Sequence, residues 1–414
     1  MKNVGIVSCY FKNNYGSMLQ AYATKMILDK NNIPNETVNI DYNIDFIKGK
    51  KNYYMSQIFN FKFILSKFGM LKMKILIRMN KNLRKNIHIR EKKYKEFRNE
   101  INLSPKMRTY SDLTKYAKFN YSDVIVGSDQ LWLPVNVVSD YYTLNWVPND
   151  INKISYATSM GISHIPNKYN NLYNSFLKKI NHLSVREKDG VRIIKEITNI
   201  NAKIVCDPTL LLTKKDWEKE AKKERIIKEK YILCYFLGNN INHRKFAEKL
   251  KKETKTIIVS LNHADEYVKY SDIYADFIPY DIGPREWISL IRDAEYICTD
   301  SFHGTLFSII FNKIFFSFRR YDSKSVSSTN SRIDSLLELV GISKERILTG
   351  NENVKKILEY NIDYINVNQK LDILRNESEK WLINSISNYD TTKCEYINIK
   401  DKFMCTGCSV CKNK

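Results

Sequence analysis

No stretch of this sequence approaches the roughly 18 uncharged apolar residues that a membrane-crossing helix needs, so none is expected. The N-terminus lacks the basic, apolar and small-residue segments of a signal peptide; VGIVS, after Met1, Lys2 and Asn3, reads instead as a strand. The dinucleotide fingerprint GxGxxG is missing. So are zinc-finger spacing, a helix-turn-helix signature and a repeated aromatic-basic pattern, and no nucleic-acid partner is expected. No metal triad is evident. Of the eight cysteines, Cys9, Cys206, Cys234 and Cys298 stand singly near predicted strands and read as buried, inert thiols. That is no disulfide scaffold, and a reducing cytoplasm is expected.

What the sequence does have is positive charge: 67 Lys and Arg against 45 Asp and Glu, a net +22, mostly lysine. It reads first as a compositional habit. It reads second as an attraction for anions, whether small substrates or a membrane surface. With 414 residues, 43% of them apolar, the chain can form two or three domains with a sizeable core.

Strand, loop, helix and strand follow one another at the start: VGIVS, CYFKNNYG, SMLQAYATKMILDK and ETVNIDY. That order predicts a parallel α/β domain. Further strands are expected in SDVIVGSD, INKISYATS, LSVR and AKIVCD, finishing in Gly, Ser, Asp or Arg. Residues 46–100 are basic and helical in pattern. They read as helices over the sheet or the site, or as an amphipathic surface lying on an anionic membrane. The charged segment 215–229 reads as a boundary, and a second α/β unit begins at YILCYFLG. Its expected strands include TKTIIVSL, ADFIPY, YICTD and KIFFSF. The domains are therefore placed at 1–215, with 46–100 inserted, and at 216–365; a helix over 366–388 and a tail at 389–414 follow.

Ligands of open parallel sheets bind beyond the carboxyl ends of the strands, which directs attention to four places. In TDSFHGTL, a residue at 299–301 caps a helix. Capping alone would explain Ser301, yet the helix start also offers free amides, the Thr305 hydroxyl, close backbone approach at Gly304 and a titratable His303. In GSDQLW, Ser128 and Asp129 form either an ordinary turn or a group that orients or deprotonates a sugar hydroxyl. Asn13, Asn14 and Gly16 precede the first helix and could contact a ligand. Arg186 reads as a carboxylate or phosphate clamp, or as half of an ordinary ion pair with Glu187.

The tail carries CTGCSVCK. Cys405, Cys408 and Cys411 have the spacing of an iron–sulfur motif whose fourth cysteine would fall at 415. The motif is incomplete, so a cluster within this chain is not expected. It reads as the start of a longer module or as a remnant.

Taken together, NNYGSMLQAYA, VIVGSDQLW, ISYATSMG, SVREKDG, CDPTLLL, TDSFHGTLFSIIF, FFSFRR and NSRIDSLL resemble the polysaccharide pyruvyl transferase family over roughly residues 3–345. The resemblance implies a GT-B-like α/β fold, two Rossmann-type domains with parallel sheets facing a central cleft. It implies an acceptor on the first domain, an anionic donor on the second, and His303 in an essential role. The reaction implied is transfer of the enolpyruvyl unit of phosphoenolpyruvate to a lipid-linked or nucleotide-linked saccharide, giving a pyruvate ketal with no added cofactor. Such an enzyme would work in the cytoplasm, at the inner face of the membrane. Where many relatives have Arg two residues before the histidine, this chain has Ser301. The anion contact is therefore expected from Arg186, Arg285 or Arg319. Two other readings stay open: a glycosyltransferase of the same fold using a nucleotide-sugar donor, and a redox-associated protein with an iron–sulfur partner module.

Overall fold

The β-branched and aromatic runs marked by the sequence become two parallel sheets in the computed structural model, which describes residues 2–59, 61–262, 268, 270, 273–320, 331–386, 395–399 and 402–406. For 61–68, 395–399 and 402–406 the description is of the backbone. The first sheet contains β1 (Asn3–Val7), β2 (Asn35–Thr37), β3 (Tyr121–Val126), β4 (Asn152–Thr158), β5 (His182–Val185) and β6 (Lys203–Ile204). Their order is β2-β1-β3-β4-β5-β6, parallel throughout. The second contains β7 (Tyr231–Tyr235), β8 (Ile257–Ser260), β9 (Tyr296–Thr299), β10 (Ile314–Phe318) and β11 (Ile347–Leu348). Its order is β11-β10-β9-β7-β8, again parallel. Helices flank both sheets, and the arrangement is GT-B-like. The direction of winding reverses between β1 and β3 in one sheet and between β7 and β9 in the other. Such switch points leave a crevice beyond the strand ends.

One expected strand is absent: in ADFIPY only a single bridge forms, from Phe277 to Val259. Asp276 explains it, because its carboxylate accepts from the Ile258 amide at 2.7 Å and so takes the place of a continuing ladder.

The helical insertion comprises α2 (Ile44–Ser56), α3 (Phe61–Met79) and α4 (Lys81–Arg98), following α1 (Tyr15–Lys30). α4 buries Ile87, Arg90, Tyr94 and Phe97, at helical spacing, on one face. Arg90 donates to the carbonyls of Asn262 and Pro279 in the second domain, at 2.5 and 2.8 Å. α1 closes the joint from below. Tyr15 stacks on Trp287 with ring centroids 5.4 Å apart and donates its hydroxyl to the Ile282 carbonyl at 3.0 Å. Met18, Leu19, Trp287, Ile288 and Phe307 belong to one apolar cluster spanning both domains. Burying each such side chain contributes roughly 1.5–3 kcal/mol, so the two strand-end surfaces are held at a fixed spacing.

The helix Tyr364–Ser385 returns to the first domain, where Ser378 accepts from the Cys206 amide at 3.0 Å and Glu379 accepts from Asn31, also at 3.0 Å. Near the C-terminus β12 (Glu395–Ile399) and β13 (Lys402–Thr406) form an antiparallel pair. Cys405 lies in β13, while Cys408 and Cys411 lie outside the described residues. Among the described residues no group of three or more His, Cys, Asp or Glu side chains is placed to hold a metal ion.

Candidate active site

The ends of β1, β3, β5 and β6 converge on a buried polar cluster. Asp129, just past β3, sits at φ +83°, a left-handed conformation that costs a non-glycine residue roughly 1–3 kcal/mol. Its carboxylate accepts from Ser17 on α1 at 2.6 Å and from the Cys9 thiol at 3.3 Å. Arg186, after β5, has its side chain 1% exposed. Its guanidinium donates to Asp207 at 2.7 Å and to the Ser128 hydroxyl at 3.1 Å. The Asp129 and Glu187 carboxylates stand 3.7 and 3.8 Å from it. Asp207, after β6, also accepts from Ser128 at 2.7 Å and caps the short helix beginning at Pro208.

The second domain supplies the other wall. Ser301 caps the helix Phe302–Ile310, accepting from the Gly304 amide at 3.3 Å. That cap places His303 against the first domain, with Nε2 3.7 Å from Asp207 Oδ2. The separation is too long for a hydrogen bond but close enough for an ion pair when the ring is protonated. Nε2 is buried without a hydrogen-bond partner. Beside it the Phe302 ring lies under two guanidiniums, Arg186 at 4.2 Å and Arg332 at 5.7 Å. At the second switch point Asp300 accepts from the Leu237 and Gly238 amides at 2.7 and 2.8 Å, fixing the loop after β7.

The charges reinforce one another. Burial alone would raise the Asp129 carboxyl, but Lys12, Arg186 and His303 hold it well below the usual carboxylate range. Burial likewise opposes ionisation of Asp207, and His303 and Arg186 overcome it. Both are therefore anions at neutral pH. Arg332 moves the other way: burial, then the Arg186 cation, push it down to about 9. Burial pushes the Cys9 thiol up to about 12, which keeps it protonated and a poor nucleophile. The site thus holds three carboxylates, Asp129, Glu187 and Asp207, around Arg186, with the Arg332 guanidinium beside them.

The sequence profile of polysaccharide pyruvyl transferases matches residues 14–323, about three quarters of the 414 residues and all of the polar cluster except Cys9, Lys12 and Arg332. This chain belongs to that family. No curated protein matches this pyruvyl transferase family member in sequence. Solved structures with similar folds include a UDP-N-acetylglucosamine 2-epimerase (TM-score 0.52, 9% identity, covering 97% of this chain and 99% of that one). Others are the UDP-GlcNAc 2-epimerase of Methanocaldococcus jannaschii (TM-score 0.47, 11% identity, 94% and 96% covered) and that of Neisseria meningitidis bound to UDP-GlcNAc (TM-score 0.45, 13% identity, 91% and 99% covered). At such identities the likeness is one of fold.

Within this family member the structure brings Asp129, Ser128, Arg186, Gly16, Ser301 and His303 together. It places other expected contacts elsewhere. Gly304 faces not a ligand but β9, since a Cβ there would lie 2.4 Å from Thr299 Oγ1. The Thr305 hydroxyl is buried against Ser317 at 2.6 Å and donates to the Ser301 carbonyl. Arg285 is paired with Glu100 and Glu220. Arg319 forks to Asp334 at 3.0 and 3.1 Å. Asn14 is occupied in capping α1, and Asn13 accepts from Arg98 at 2.9 Å. Asp207, Ser17 and Arg332 join the cluster in addition to the residues expected from the sequence. Asp207 ends a predicted strand, the same signal that marked Asp129.

The close approach at Gly16 is made by the protein's own histidine: a Cβ there would lie 2.1 Å from His303 Nδ1 and 2.3 Å from Cγ. Gly16→Ala would favour α1 by helix propensity, but the imidazole must move. We expect kcat to fall at least about tenfold, since catalytic geometry tolerates about 1 Å of misplacement poorly, and the melting temperature to drop by several degrees, since overpacking a buried contact costs roughly 1–3 kcal/mol. Wild-type turnover by the alanine variant would show that the position of this ring is unimportant.

Proposed function

We propose that the protein is a transferase that holds an anionic donor between its domains and modifies a nucleotide-linked or lipid-linked saccharide. The specific reaction proposed is enolpyruvyl transfer from phosphoenolpyruvate to sugar hydroxyls, closing to a pyruvate ketal. Beyond family membership, one observation carries this reading: His303 sits beside two guanidiniums gathered over one phenyl ring, Arg186 and Arg332. A donor bearing phosphate and carboxylate matches that group by charge and by the fork geometry of arginine.

In the proposed reaction a proton adds to carbon 3 of the donor, and positive charge develops at carbon 2. A sugar hydroxyl attacks carbon 2 and loses its proton; the carbon–oxygen bond to phosphate breaks; a second hydroxyl attacks and loses its proton. One proton is consumed and two are released, one of which accompanies the departing phosphate. His303 is assigned to donate the first proton or the one that accompanies phosphate. Asp129, an anion with depressed basicity, suits orienting a hydroxyl better than removing its proton. Arg186 and Arg332 offset the donor's charge. No cofactor enters this scheme.

The assay is incubation with phosphoenolpyruvate and a panel of lipid-linked and nucleotide-linked sugars. Phosphate release matched by a product that gains a ketal is the expected result. Glycosyl transfer from a nucleotide sugar is the second reading. It is favoured by the organised second switch point at Asp300 and by the fold shared with a UDP-N-acetylglucosamine 2-epimerase. Nucleotide release without consumption of phosphoenolpyruvate would establish that reading and reject the first.

Arg332→Ala gives a sharper check on the donor site. Losing one charge-assisted contact of about 1.5–3 kcal/mol should raise KM for phosphoenolpyruvate roughly 10–100-fold and leave kcat nearly intact. An unchanged KM would remove Arg332 from the donor site.

A further inference from the structure

Among the described side chains of α2 and α3, only Phe46 and Met73 are buried. α2 buries only Phe46 among its residues. Outward from it stand Ile44, Ile47, Tyr54 and Met55, followed by Ile58 and by Phe59, which is 99% exposed. On α3 the residues Leu71, Ile75 and Met79 follow one another four apart, the spacing of a single helix face, and all three are exposed. Of the 19 large hydrophobic side chains exposed among the described residues, 10 fall between 44 and 79. Scattered surface hydrophobics are ordinary, but such a concentration marks an interaction surface.

The same segment is where the charge collects. Residues 44–98 carry sixteen Lys and Arg against three Asp and Glu, a net +13 of the whole chain's +22. Lys72, Lys74 and Arg78 sit among Leu71, Ile75 and Met79, and the two lysines are exposed with the arginine. The lobe is anchored, not free. α3 packs on α4, and α4 is bonded to the second domain by Arg90 and by the Lys93–Glu286 pair at 3.1 Å. It also leaves the fold near the polar cluster: α2 carries Lys50, whose neighbours in charge are Lys12 and Cys9.

We propose that this lobe docks the protein on an anionic bilayer surface, its exposed Ile, Leu, Met and Phe side chains entering the headgroup boundary and its lysines and arginines meeting lipid phosphates. Two chemical features select this occupant. A second copy of the chain would bring two surfaces of strong positive charge together, which like-charge repulsion opposes. A nucleic acid would satisfy the cations but leave the aliphatic stripe in water, whereas an acidic lipid surface satisfies both. The association is peripheral, because among the described residues no helix is long and apolar enough to cross a membrane. The surface stands independently of the chemistry at the cleft, although it suits a lipid-linked acceptor.

The test uses the full chain and needs no turnover, so its outcome is separate from that of the transferase assay. The protein is sedimented with vesicles of phosphatidylcholine alone or mixed with phosphatidylglycerol, at low and high salt. Binding to the mixed vesicles, weakened by salt and absent from the neutral ones, is expected. Replacing Lys72, Lys74 and Arg78 together by alanine should weaken binding on the order of 100-fold, from roughly a factor of 5 per cation near the surface. Phe59→Ser with Leu71→Ser should weaken it about tenfold or more at unchanged charge; both side chains are exposed, so folding should survive, as circular dichroism can verify. Failure to bind the mixed vesicles would overturn the proposal. So would equal binding by both variants, or self-association or RNA retention through this lobe in place of vesicle binding.

Discussion

Replacing His303 with alanine is expected to lower kcat by about 10²–10⁴-fold, the usual contribution of a positioned proton-transfer group. The geometry explains why the loss should be catalytic and not merely structural. Asp207, the carboxylate beside the ring, keeps its bonds to Arg186, Ser128 and Thr209 when the imidazole is gone. The imidazole Nε2 makes no hydrogen bond that folding would lose. The helix start is capped by Ser301, so it does not depend on the histidine either. Circular dichroism and a thermal melt should therefore resemble the parent's while turnover falls by that factor. A folded alanine variant with near-normal turnover would end the assignment of proton transfer to His303.

The parallel strands were legible because each is a short β-branched run ending in a polar residue, and the same pattern led to Asp129, Arg186 and His303. Asp207 ends β6 as plainly as Asp129 ends β3, yet its importance comes from the Arg186 and His303 charges that reach it from residues 21 and 96 positions away. No local pattern contains that convergence. Gly304 and Thr305 show the opposite error: their composition suggested a ligand cradle, whereas β9 and β10 pack against them. Arg285 and Arg319 look the same in sequence as Arg186, and only the positions of Glu100, Glu220 and Asp334 reveal that their ion pairs lie apart from the buried cluster in which Arg186 meets Asp207. Ser301 brings no charge beside His303. In space, Arg332 brings a guanidinium to the same phenyl ring from a helix about thirty residues further along, Ser331–Val340.

Asp207→Asn should produce the largest loss of stability. Arg186 would keep its place with its closest anion replaced by an amide, and removing one partner of a buried ion pair typically costs about 3–5 kcal/mol. The lower end is expected here, because Asp129 and Glu187 remain 3.7 and 3.8 Å from the guanidinium. The asparagine also presents donor hydrogens where Arg186 and Ser128 already donate. The pH dependence identifies the charge as the cause. The folded-state carboxyl is held below its ordinary 3.8. Its stabilising contribution is therefore complete above that value and disappears as pH falls through the range beneath it. Urea denaturation across a pH series should show the parent far more stable than the variant at neutral pH and the difference shrinking below about pH 4. A difference that stays constant into acid would mean that shape, not charge, accounts for the loss. Equal stability at neutral pH would mean that Arg186 does not depend on Asp207 at all, and the electrostatic organisation of the cleft would have to be sought in Asp129 and Glu187.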